Sequence, residues 1–176
     1  VPDGLPVIEF GADFQAFLNP GPFEVVSCGQ DEVAMFLYTS GSTGKPKGVP
    51  LTHHGHLWVI EMRSKGSDIS SHRLLVAAPL YHMNALAIAK AALLGHAAIV
   101  LLPQFTVETY IKAIEKFHCS WLTSVPTMMA LVTKETALTN ATDLSSVKIV
   151  RMGSAPATQR LFDDIRKTFG NVSISY

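Results

Sequence analysis

Six short runs rich in Val, Ile and Leu, at 33–38, 74–78, 97–102, 121–125, 147–152 and 172–176, recur along the chain, each followed by a break. Between them the apolar positions take helical spacing, at 54–65, 84–94, 107–117, 127–135 and 157–169. The short runs are nearly continuous rather than alternating, the pattern of strands covered on both faces. Strand and helix in turn predict an α/β fold: a mostly parallel sheet with helices on both faces, joined by right-handed βαβ crossovers. Residues 1–32 hold Pro2, Pro6, Pro20 and Pro22 and keep no sustained period. They are expected to form a connector or incomplete element ahead of an α/β subdomain at 33–176.

Composition narrows this picture. Of the 176 residues 48% are hydrophobic and 16% charged, enough for one sizeable core. The 14 basic and 14 acidic side chains cancel, so no broad field for nucleic acid or an anionic membrane exists, and any anion has to be met by a local site. The apolar stretch 85–102 approaches membrane-span length, yet Lys90 and Gly95-His96 interrupt it, which predicts a buried helix, a turn and a buried strand instead. Cys28 and Cys119 lack the paired spacing of a zinc site or disulfide framework, and the first residues lack the basic flank and apolar run of a signal peptide. A cytoplasmic setting is the expectation.

The densest chemistry follows the first strand. Thr39-Ser40-Gly41-Ser42-Thr43-Gly44-Lys45-Pro46-Lys47-Gly48 packs four hydroxyl side chains, three glycines and two lysines into ten residues. Glycines let backbone N–H groups approach an anion, hydroxyls add donors, and a lysine adds a point charge, which is phosphate-binding chemistry. Such composition alone also describes a solvated loop. A Walker A loop does not fit, because Thr39 stands where its first glycine belongs and Pro46 where its magnesium-holding Ser/Thr belongs.

This segment resembles the signature of the AMP-forming adenylating superfamily, which includes acyl- and aryl-CoA synthetases, nonribosomal peptide synthetase adenylation domains and beetle luciferases. The resemblance implies that Thr39, Ser40, Gly41, Ser42, Thr43, Gly44 and Lys47 contact the β- and γ-phosphates of ATP, with Lys45 at a position where the family varies. It extends from Val33 to Tyr176. Ala78-Pro79-Leu80-Tyr81-His82-Met83-Asn84-Ala85 is similar to the family's next motif, which makes His82 the residue bordering the substrate carboxylate. Alone, a histidine so placed reads as readily as one satisfied at a helix start. Met152-Gly153-Ser154-Ala155-Pro156 resembles the segment lining the adenine and acyl pocket in the CoA-ligase branch, implying roles for Gly153, Ser154, Ala155 and Pro156. By itself it is an ordinary strand-to-helix turn with Pro156 at a helix start.

The resemblance implies a parent enzyme that joins a small-molecule carboxylic acid to AMP at the expense of ATP, then passes the acyl group to CoA, with magnesium as cofactor. No aspartate follows His82 to pair with an amino acid's ammonium group, and Met83, Asn84 and Ala85 point to a fairly apolar acid. Two alternatives stay open: a carboxylate-adenylating domain without CoA transfer, and a non-catalytic binding module. The family's Gly-x-Thr-Glu, which helps hold nucleotide and magnesium, would follow Tyr176, and its small C-terminal domain would come later still. The chain is therefore expected to be part of a longer one, partnered by the rest of it, with no metal ligands of its own.

Overall fold

The computed structural model describes residues 4, 7–9, 11–39, 44–64 and 68–176, without the side chains of residues 63 and 64. In chain order the elements are α1 (Ala12–Phe17), β1 (Val33–Thr39), β2 (Lys47–Thr52), α2 (His53–Ser64), β3 (Arg73–Val76), α3 (Met83–Leu94), β4 (Ala98–Leu101), α4 (Val107–Phe117), β5 (Trp121–Ser124), α5 (Pro126–Lys134), α6 (Thr136–Asn140), β6 (Ile149–Met152), α7 (Gln159–Phe169) and β7 (Ser173–Ser175). Five strands form a parallel sheet in the order β4-β3-β5-β6-β7.

The continuous apolar strands are covered on both faces. Leu74 and Val76 of β3 pack with Ala85, Ile88 and Ala92 of α3. Their neighbours Leu75 and Ala77 turn the other way, onto the larger core built from α4, α5 and α7 around Ile111, Ile114, Met129 and Ile165. Successive strand residues point to opposite faces, so one unbroken run of leucine and valine serves two layers. β3 leads through α3 to β4 on one side, and β4 returns through α4 past β3 to β5. The reversal of direction coincides with the change of face.

Local signals start and stop the helices. Thr106 and Thr158 cap α4 and α7, each accepting from the backbone N–H three residues on, Thr109 and Leu161. Pro126 opens α5, where its missing N–H costs nothing. α3 ends at Gly95, and the turn Gly95-His96 leads to β4, so the long apolar stretch is a helix and a strand rather than one rod. Among the described residues no helix is long and apolar enough to cross a membrane.

Gly95 is dictated by packing. A Cβ there would fall on Ile69 Cγ1, with Ile69 Cδ1 at 2.6 Å and the Ala91 carbonyl oxygen at 3.2 Å, and Ile69 is itself buried. Gly95→Ala is expected to destabilise the protein by about 1–3 kcal/mol, the usual cost of overpacking, and a denaturation midpoint comparison measures it. An unchanged midpoint would mean that Ile69 repacks freely.

The sequence pattern differs from the structure at β1. The first strand does not join the parallel sheet; it pairs antiparallel with β2 in a separate two-stranded ribbon, with Thr39 opposite Lys47 and Tyr38 opposite Gly48. β2 carries Gly48 and Pro50, residues that weaken a strand in sequence terms. A two-stranded ribbon tolerates them, because one side of each strand needs no ladder partner and the Tyr38 ring can lie over the space a side chain at 48 would take. The short helices α1 and α6 also carry no periodic signal of their own. α6 follows α5 after a single residue, Glu135, and α1 buries none of its residues.

Candidate functional site

All strands of the parallel sheet end on the same edge, so the loops that follow them collect there. β3 and β5 are neighbours whose chains leave in opposite directions, which opens a crevice between their carboxyl ends, the place where open α/β sheets receive ligands. The segment after β3 carries His82, Met83 and Asn84. After β5 come Val125 and Pro126, and after β6 come Gly153, Ser154 and Ala155.

His82 occupies the N-cap position of α3 in extended backbone conformation, and its side chain makes no capping hydrogen bond. The turn beneath it is firm: His82 N–H donates to the Pro79 carbonyl at 3.0 Å, and Leu86 N–H donates to the His82 carbonyl at 3.0 Å. The imidazole is exposed and stands against the Tyr81 ring, centroids 4.7 Å apart and tilted by 52°. It is thus held at the edge of the crevice rather than consumed as a cap.

Across from it, the Gly153 turn is fixed at both ends. Ser124, fully buried, donates its hydroxyl to the Arg151 carbonyl at 3.3 Å and so ties the end of β5 to β6. Tyr176 donates its hydroxyl to the Ala155 carbonyl at 2.5 Å and holds the turn from the far side. Between these clamps Ser154 has φ 70°, in the left-handed region that a residue with a Cβ rarely occupies. Such a conformation survives only where its surroundings over-determine it.

Asn84 links the two sides. Its Nδ2 donates to the Ser124 carbonyl at 3.4 Å, a long bond, and the same amide lies 3.8 Å from where a Gly153 Cβ would stand. The His82 segment and the Gly153 turn, 69 residues apart in the chain, therefore meet at one amide. Sequence reasoning does not single out Asn84 or Ser124 as bridging residues. A trace exists for both: Asn84 is the one amide in the otherwise apolar opening of α3, and Ser124 is a hydroxyl in a buried strand just before Val125-Pro126.

The candidate phosphate loop is the connection between β1 and β2, not a strand-to-helix turn. Thr39 and Lys47 face each other as the last pair of the ladder, so the loop springs from a fixed base. Ser40, Gly41, Ser42 and Thr43 lie outside the described residues. Gly44 has φ 77°, which glycine adopts at no steric cost, and Lys45 and Lys47 are exposed. Met35, Phe36, Leu37 and Tyr38 border a cavity of about 250 Å³ together with Leu80, Tyr81 and Leu86, so the ribbon stands beside the His82 segment. Pro156 follows the Gly153 turn as an exposed residue ahead of α7, two residues before its N-cap.

Among the described residues no group of three His, Cys, Asp or Glu side chains is placed to hold a metal ion. The site offers instead backbone N–H groups, hydroxyls, a lysine and an imidazole. That set suits binding and orientation of an anionic, planar molecule more than proton abstraction.

These features define an α/β domain of the open parallel-sheet class with its loops gathered at one edge. The chain belongs to the AMP-binding enzyme family, whose model matches residues 5–176. It is 31% identical over 150 residues to 4-coumarate-CoA ligase 1 of Narcissus pseudonarcissus, a match covering 82% of this chain and 27% of that protein. Among solved structures, the luciferase-like enzyme of the nonluminescent mealworm Zophobas morio superposes with a TM-score of 0.79 at 22% identity, over 92% of this chain and 38% of that one, and shows the shared fold. The o-succinylbenzoate coenzyme A synthetase of Bacillus subtilis in complex with AMP superposes with a TM-score of 0.64 at 29% identity, over 80% of this chain and 29% of that one. The chain thus spans between a quarter and two fifths of the length of these proteins.

Proposed function

We propose that this chain supplies part of the nucleotide and acyl site of an ATP-dependent, AMP-forming acyl-CoA ligase. The observation that supports it most is the meeting of the His82–Asn84 segment and the Gly153 turn at the crevice between β3 and β5. In the first step a substrate carboxylate oxygen attacks the α-phosphorus of ATP, forming the acyl-adenylate while the bond to the leaving pyrophosphate breaks. In the second the sulfur of CoA attacks the acyl carbon, and AMP leaves with the electron pair of the broken C–O bond.

Within that scheme the chain orients its ligands and neutralises their charge. Thr39, Gly44 and Lys47, with Ser40, Gly41, Ser42 and Thr43, hold the β- and γ-phosphates as the leaving group. His82 borders the carboxylate; a neutral imidazole can stack and donate one hydrogen bond without acting as a base. Gly153, Ser154, Ala155 and Pro156 line the adenine and acyl pocket, where small residues let a planar ring approach the backbone. Magnesium would neutralise phosphate charge. Residues 33–176 then act as one subdomain of the larger adenylating domain, entered through the connector 1–32, in a cytoplasmic enzyme whose partners are ATP, CoA, the acid and the rest of its own chain.

Pyrophosphate exchange into ATP by the intact protein tests the first step. Exchange should depend on added carboxylic acid, with aryl and acyl acids active and amino acids not, and CoA should then yield a thioester. Exchange with amino acids alone would favour the adenylation domain without CoA transfer. No exchange with any acid would leave a binding module and defeat the proposal.

A further inference from the structure

α2 and α3 pack side by side, and one polar pair stands in their contact. Lys90 Nζ of α3 lies 3.3 Å from His56 Nδ1 of α2. An ammonium has donors only, so this is a hydrogen bond only while Nδ1 keeps its lone pair, which puts the imidazole proton on Nε2. Nε2 is buried and meets no acceptor. Beside the pair a cavity of about 240 Å³, walled by Leu51, Val59, Ile60, Met83 and Ala87, leaves the interface incompletely packed.

The surrounding charges all act in one direction. Burial, then Lys90, then His53 on the preceding turn of α2 hold the His56 imidazole below its ordinary range, and burial lowers Lys90 as well. The sole ionisable residue of β2, Lys47, stands at the far end of the strand from Thr52, and Lys90 is the sole one on α3. On α2, His54 is a neighbouring base and Glu61 lies more than a turn further on. In the segment before β1, the Glu32 carbonyl accepts from His53 N–H, while the Glu32 carboxylate accepts from the Gly29 N–H. Among the described residues the charges acting on His56 are Lys90 and His53, both basic, so a proton there meets no offsetting carboxylate.

We propose that the His56–Lys90 contact is an acid-sensitive latch docking α2 on α3, opened when His56 takes up a proton. Protonation turns Nδ1 from acceptor to donor and sets two cations against each other in a partly buried interface. α2 continues directly from β2, which begins at Lys47, so loosening α2 also loosens the strand that carries the candidate phosphate lysine. The sign follows from the lowered folded value. Between the unfolded value of 6.5 and the folded one beneath it, the unfolded chain binds more protons. The docking is intact above the unfolded value, weakens as pH falls through this window, and levels off below the folded value.

Hydrogen–deuterium exchange on the intact protein, corrected for intrinsic rates, tests the latch between about pH 7.5 and about pH 5.5. Amides of α2 should lose protection by roughly tenfold on acidification while those of α4 and α7 keep theirs. His56→Phe, of similar volume and without a titrating group, should abolish that response, and Lys90→Met should weaken it, because burial still holds the imidazole below its ordinary range. Unchanged protection in α2, or an equal acid response in whichever variant folds, would overturn the proposal. The readout does not depend on enzymatic activity.

Discussion

Lys47→Ala is expected to slow acyl-adenylate formation by about 100- to 1000-fold, the loss typical when one preorganised charge or donor facing a developing anion is removed. The position of Lys47 is the reason. It is the first residue of β2, paired with Thr39 across the ribbon, so its Cα is anchored by the backbone ladder while its side chain remains exposed at the base of the loop. Alanine leaves that ladder intact, and the change should therefore appear in rate rather than in folding. Lys45, within the loop and without a ladder partner, is the internal control. Lys45→Ala should cost less than about tenfold, because the backbone ladder fixes where the Lys47 side chain starts and does not include Lys45. Pyrophosphate exchange by the two variants of the intact protein measures both. Equal effects at the two positions would remove the special role given to Lys47.

Tyr110→Ala is expected to destabilise the protein by about 3–5 kcal/mol. Tyr110 is fully buried at the centre of the larger core, packs edge-to-face on Phe105 with ring centroids 5.6 Å apart, and donates its hydroxyl to the Thr123 carbonyl at 3.3 Å. Burial drives its phenol far above the ordinary range, so the hydroxyl keeps its proton and remains a donor throughout physiological pH. Truncation removes a ring from a closely packed interior and leaves a cavity under β5. Tyr110→Phe removes only the hydroxyl and should cost about 1 kcal/mol, the net worth of one hydrogen bond. Denaturant unfolding of both variants separates the two contributions. A phenylalanine variant as unstable as the alanine one would place the worth of Tyr110 in its hydroxyl rather than its packing.

Much of the fold was legible because strand and helix here obey short-range rules. Leu74-Leu75-Val76 reads as a strand buried on both faces, and the structure places Leu74 and Val76 against α3 and Leu75 in the opposite core. Helices α4 and α7 announce themselves through apolar stripes that bury Ile111 and Ile114, Leu161 and Ile165. β2 was not legible. Gly48 and Pro50 are poor strand residues by propensity, and only pairing with Phe36 and Tyr38 makes the segment a strand.

For the site the division is similar. The small, hydroxyl-rich and basic character of 39–48, the histidine after β3 and the small-residue turn after β6 are properties of composition and order, and the chain states them without folding. The amide of Asn84 reaching Ser124, the Tyr176 hydroxyl closing on Ala155 and the left-handed Ser154 between them are not stated there. Each joins residues between 21 and 40 positions apart or depends on such a joining. The same holds for His56 and Lys90, 34 positions apart. The alternation of strand and helix was thus settled by the order of residues alone, because backbone freedom and period are local. Which loops share the crevice, and that the loop hangs from an antiparallel ribbon outside the main sheet, were settled only by folding, because strand order and side-chain meetings depend on contacts that no window of sequence contains.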